Sequence, residues 1–176
     1  GVLRELDLAD HWRGKVHVWI KPGLRIGTPP GLVSTRYADG WQYTLELPEQ
    51  IEPAVLVRAV VQALVTEIAN RQGGMRPADV PLWLVEGLSA SAASTVGPDL
   101  VVAPTRLRAR VGDAMGQLDN AQRTQVGAQN LPEIRAWFFD RPFLSFAELS
   151  QPNASHLAGE NLTTYRHCAQ LLLREL

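Results

Sequence analysis

Around Pro53 the chain changes its hydrophobic period, and that change limits the folds open to it. Before it, Val16, Val18 and Ile20 alternate with His17 and Trp19, while Trp41, Tyr43, Leu45 and Leu47 alternate with Gln42, Thr44 and Glu46. A period of two sends successive side chains to opposite faces, so each stretch predicts a strand with one face buried. Pro22-Gly23 closes the first stretch, and Asp39-Gly40 is a turn signal ahead of the second. Leu32–Tyr37 has room for a short strand between them. The strands are expected in one mixed or antiparallel sheet.

From Pro53 to Arg71 the apolar residues Leu56, Val57, Val60, Val61, Leu64, Val65 and Ile68 recur at helical spacing. Pro53 suits a first helical position, Ile51 can staple against Leu56 or Val57, and Gly73-Gly74 offers a stop. A second helix is expected from Pro81 to Ser94, with Asp79 as its cap and Gly97-Pro98 beyond its end. Leu100–Ala103 suggests a short strand and Arg106–Gln129 a weak polar helix. A short helix is expected at Leu131–Phe139. Another, at Leu144–Leu149, has Ser145 as cap and Glu148 three residues on, the spacing of a capping box. The last helix is expected from Thr163 to the end, with Tyr165, Cys168, Ala169, Leu172 and Leu176 as its apolar stripe. Strands first and helices after favour an α+β domain, a small mixed sheet followed by helices. All 176 residues fit a single domain, with an apolar content of 45% to fill one core.

Charge narrows the classes further. Seventeen basic residues oppose eighteen acidic ones, a formal net charge of -1, which disfavours a protein built to coat nucleic acid or an anionic membrane. No purely apolar run approaches the roughly 20 residues of a membrane span. Cys168 is the only cysteine, so no internal disulfide can form and a cysteine zinc site is not expected. If an export signal preceded Gly1, a bacterial extracytoplasmic location is expected.

Chemistry is suggested where the two adjacent helices meet. Arg58 and Gln62 lie four apart, on one helix face. Glu86 sits in the phrase Pro81-Leu-Trp-Leu-Val-Glu-Gly-Leu88, walled by Trp83, Leu84, Val85 and Leu88. Gly87 beside it costs the helix roughly 1 kcal/mol relative to alanine, which points to a close neighbour there. This helix, connection and Trp-Leu-x-Glu-Gly phrase resemble the gluzincin zinc metallopeptidases, particularly the bacterial peptidase MA-like group. The resemblance covers roughly residues 15–95 and 140–176, and Pro81–Leu88 is its sharpest part. It implies a zincin-like architecture. It also implies that Glu86 stands at the third zinc ligand, and that Trp41, Tyr43 and Leu45 belong to an edge strand along which a peptide lies. The helix around Tyr165 resembles the family's tyrosine-bearing helix behind the site.

The departures from that pattern matter more. On the first helix the family carries His-Glu-x-x-His, and the matching positions here hold Arg58, Ala59 and Gln62. Arginine stays protonated and cannot ligate zinc, glutamine is a poor ligand, and alanine cannot act as a general base. The degenerate site Arg58, Ala59, Gln62 and Glu86 therefore implies an inactive domain with no catalytic residue, no metal and no cofactor. Its expected role is binding or scaffolding, with a peptide or protein segment as partner. Arg58 paired with Glu86, with Gln62 buried nearby, would neutralise the carboxylate that zinc otherwise neutralises.

Other readings remain open on the sequence. Arg58 and Gln62 also fit a solvated helix face, and Glu86 a local ion pair. An active hydrolase with its catalytic residues elsewhere, or a structural domain of a longer chain, are the alternatives. Gly87-Leu-Ser89-Ala-Ser91 only partly matches a nucleophile elbow, because Ser91 replaces the final glycine and no strand precedes it. His167 and Cys168 are adjacent on a helix and cannot pair as a dyad. His11, His17, His156 and His167 show no metal spacing, and His156 with Glu160 makes a poor ligand pair. Arg106, Arg108 and Arg110 could form a phosphate patch but fit a solvated surface better. Asn153-Ala-Ser155 and Asn161-Leu-Thr163 are formal glycosylation sequons.

Overall fold

The computed structural model describes residues 14–24, 27–71, 73–96 and 131–175. It is a mixed α+β structure. Among the described residues it holds three strands, β1 (Lys15–Lys21), β2 (Gly31–Tyr37) and β3 (Gly40–Pro48), and then five helices. These are α1 (Pro53–Asn70), α2 (Leu82–Val96), α3 (Leu131–Trp137), α4 (Phe146–Ser150) and α5 (Gly159–Glu175). The segments expected at 100–103 and 106–129, with Arg106, Arg108 and Arg110, lie outside the described residues, as does His11.

The sheet order is β1-β3-β2, with β1 parallel and β2 antiparallel to β3. Ala38-Asp39 turns β2 into β3, and Gly40 follows at φ 135°, a value that L side chains rarely adopt. That hairpin pairs β3 on one side, and β1 closes its other side. The strand containing Trp41, Tyr43 and Leu45 is therefore central and not an edge. Its backbone groups are used on both flanks, so a peptide cannot add to it, and that expectation is corrected.

Alternation predicts the β3 faces well. Tyr43, Leu45 and Leu47 are buried, and Leu45 and Leu47 pack against Ala59 of α1. It fails on β1. Val16 joins this cluster, but Val18 and Ile20, on the same face by register with Leu45 and Leu47, are 55% and 65% exposed. The physical reason is coverage: α1 packs over the central strand, and the far half of the edge strand runs past it.

α1 is long and apolar enough, by length and composition alone, to cross a membrane, with a mean hydropathy of 1.3. Here it is built into the domain, against β3 and α2. Its polar residues Glu67 and Asn70 are buried in hydrogen bonds: Asn70 donates to the Tyr43 hydroxyl at 3.2 Å, and its Oδ1 accepts from the Ala78 N–H at 2.6 Å. The helix ends at an ordinary right-handed residue, Arg71, without a left-handed glycine cap.

The helical half has its own core of Ile134, Phe138, Leu149, Tyr165, Cys168 and Ala169. The capping box forms as the spacing predicts: the Glu148 N–H donates to Ser145 Oγ, and the Ser145 N–H donates to Glu148 Oε2 at 2.8 Å. The Ser145 hydroxyl, donating to Glu148 Oε2 at 2.7 Å, and then the Ser145 N–H hold the Glu148 carboxyl below its usual range. α5 begins at Gly159, one turn earlier than the sequence suggests, and its stripe from Tyr165 to Ala169 is buried. Cys168 is core: Leu144 N–H donates to its Sγ at 3.4 Å, and burial pushes its thiol up.

Tyr165 ties α5 to α4. Its side chain is fully buried and its hydroxyl donates to the Leu149 carbonyl at 2.8 Å. Burial, with the Glu86 charge nearby, pushes its pKa up to about 12. Tyr165→Phe leaves that carbonyl without its donor, so urea denaturation should show a loss of about 1–2 kcal/mol.

Candidate functional site

The site is built where α1, α2 and α5 meet. α2 supplies Glu86, whose side chain is only 6% exposed. Val85 and Leu88 on either side of it are buried with Val61 and Val65 of α1, which draws the carboxylate inside with them. A carboxylate taken out of water without partners costs several kcal/mol, so the fold must supply donors. It supplies two. Arg58 of α1 donates Nε–H to Glu86 Oε1 at 2.5 Å, and Arg166 of α5 donates Nε–H to Oε2 at 2.8 Å. Each carboxylate oxygen has its own guanidinium. The arginine side chains are less enclosed, 33% exposed for Arg58 and 46% for Arg166.

Gly87 makes this arrangement possible. A Cβ placed there would lie 2.7 Å from the Ala169 carbonyl oxygen and 3.1 Å from its carbon. α2 and α5 therefore touch backbone to backbone at this point, one residue after Glu86. The close approach lets Arg166 reach Glu86 across the interface.

The structure thus brings Arg58 and Glu86 together, while the other two residues singled out with them take no hydrogen bond in that pair. Gln62 is half-buried, not enclosed, and makes no side-chain hydrogen bond among the described residues. Only its carbonyl is used, accepting from the Thr66 hydroxyl at 2.7 Å. Ala59 is turned toward the sheet, in the cluster with Leu45 and Leu47. Arg166 is the residue sequence reasoning missed. One signal for it existed: a buried carboxylate has two oxygens to satisfy, and one guanidinium engaged through Nε leaves the second unpaired.

The weaker candidates do not assemble. Ser89 and Ser91 lie inside α2, and the Ser89 hydroxyl donates to the Val85 carbonyl at 2.6 Å. His156 sits in the Asn153 turn, and Glu160 in the first turn of α5. Among the described residues, no group of three His, Cys, Asp or Glu side chains could hold a metal ion.

A second buried carboxylate, Glu67, is also fully engaged. Arg71 holds it through Nε and a terminal nitrogen, the latter at 2.8 Å, and Gly14 N–H donates to it at 3.1 Å. It lines an open cavity of about 230 Å³ at the C-terminal end of α1.

His167 of α5 is buried, edge-on to Trp137 at 5.2 Å, with Nδ1 unpartnered. Burial pushes its pKa below 6.5. Just below pH 6.5 the unfolded chain therefore binds more protons than the native one, and stability falls as pH falls until the native imidazole also titrates. Denaturation from pH ~7.5 down to ~5 should show this decline, and His167→Phe should flatten it.

Comparison of the chain with protein-family models, with curated proteins and with solved structures finds no match in any of the three.

Proposed function

We propose that this chain is a metallopeptidase-like domain, zincin-like in its helical core, that lacks catalytic activity and acts by binding or scaffolding. One observation carries the reading: both oxygens of Glu86, the residue at the third-ligand position of the gluzincin pattern, are taken by guanidiniums. A metal-ligating carboxylate needs a free lone pair aimed at the cation. Here two fixed positive charges stand in that space, and they would repel a divalent ion. The arginine at the first-ligand position meets the glutamate of the second helix, as ligands around a shared cation would. The Ala59 side chain, at the general-base position, offers no proton acceptor.

Metal titration tests this. Purified chain with excess zinc should melt at its metal-free temperature, without the mass-action rise that a true site produces. Stoichiometric zinc that disappears in Glu86→Ala, or zinc-dependent cleavage of a peptide, would overturn the reading.

A further inference from the structure

We infer that the guanidiniums of Arg58 and Arg166 form a binding site for a carboxylate group carried by an acidic peptide segment. The inference deepens the binding role proposed above and rests on it. One carboxylate stands between two permanent cations, so the cluster keeps an excess positive charge. Each arginine spends only its Nε–H on Glu86, and its terminal nitrogens have no acceptor among the described residues. Nor are those of Arg58 sealed from solvent: the buried, unpartnered polar side-chain atoms of the described residues are Trp41 Nε1 and His167 Nδ1. Arg166 is the more exposed of the two side chains.

Contrast within the same molecule sharpens the point. Arg71 spends both its Nε–H and a terminal N–H on Glu67, as a bidentate structural ion pair does. Arg58 and Arg166 are instead pinned through Nε alone, which leaves all the terminal N–H donors of each for an incoming acceptor. Because each holds a different oxygen of one carboxylate, the two guanidiniums flank it. The ordering cost of two long side chains is met before any ligand arrives. A carboxylate matches the fork in plane and spacing, and binds it through parallel hydrogen bonds.

Isothermal titration of the purified chain tests this with a short peptide, acetylated and amidated at its ends, carrying two glutamates. Its glutamine counterpart, succinate and inorganic phosphate serve as further probes. The glutamate peptide is expected to bind saturably and more weakly as salt rises, while the glutamine peptide gives no heat. Arg58→Lys and Arg166→Lys keep the charge but lose the fork, and each should weaken binding roughly tenfold with the fold intact by circular dichroism. Should either variant fail to fold, the wild-type chain still decides: the glutamate peptide must shift the Nε–H NMR signals of Arg58 and Arg166. Absence of saturable binding, unmoved Nε–H signals, or lysine variants that bind equally well would overturn the inference. Binding of succinate or phosphate without the peptide would overturn the peptide assignment and leave a site for a free small anion. Zinc added to the same samples separates the two ideas. Uptake at Glu86 defeats the inactive-site reading, whereas a zinc-indifferent chain that ignores the glutamate peptide defeats only this one.

Discussion

Removing Arg58 and Arg166 together should destabilise the protein by about 3–5 kcal/mol, well beyond the sum of the single losses. Arg58→Ala leaves Glu86 its bond to Arg166, and Arg166→Ala leaves it the bond to Arg58. Each lost partner is partly exposed, so each single change should cost only about 1 kcal/mol. Together they strand a carboxylate that the helices keep almost wholly from water. A denaturant double-mutant cycle reads the coupling directly. A double mutant equal to the sum of its singles within about 0.5 kcal/mol would mean that Glu86 finds water when its arginines go. Replacing Glu86 as well, by a glutamine or an apolar residue of similar volume, should recover most of the loss, because the stranded charge is what costs.

Gly87→Ala is the second large effect. On an exposed helix this change stabilises by roughly 1 kcal/mol. Here the new Cβ meets the Ala169 carbonyl at 2.7 Å, and the obstacle is backbone, not the tip of a flexible side chain. α2 and α5 must separate, which loosens the cluster around Leu149, Tyr165 and Ala169 and draws Arg166 away from Glu86. We expect a net loss of roughly 2–3 kcal/mol in urea denaturation. Gly74→Ala is the control, since its Cβ would enter open space and should change stability by less than about 0.5 kcal/mol. Equal behaviour of the two variants would show that the helices have room to shift.

Both effects arise from contacts between segments distant in the chain, and such contacts are only partly legible in a sequence. The phrase around Glu86 announces a carboxylate in apolar surroundings, and the glycine after it announces a close neighbour. Neither names the neighbour. Arg58 could be named only through the resemblance to the gluzincin pattern, because helical spacing by itself puts it on one face with Gln62 and does not say what that face meets. Arg166 lies eighty residues from Glu86 in sequence. Its own surroundings, Tyr165 and His167, carry no mark of an ion pair, since an arginine beside an apolar stripe ordinarily points to water.

Local pattern determined the kinds of element in this protein and their order. Period two gave β1 and β3, period 3.6 gave α1, the boundary signals at Pro81 and Gly97-Pro98 gave α2, and Ser145 with Glu148 gave the cap of α4. These signals need only neighbours within a few residues, so a sequence states them outright. Tertiary structure alone decided which strand lies in the middle, which half of β1 is covered, and that Ala59 turns toward the sheet while Arg58 turns toward Glu86. Alternation is the same for a central strand and an edge strand, because it records burial on the two faces and says nothing of pairing along the two flanks. Strand order and the pairing of Arg166 with Glu86 depend on how helices and sheet cover one another, a property of the packed chain as a whole.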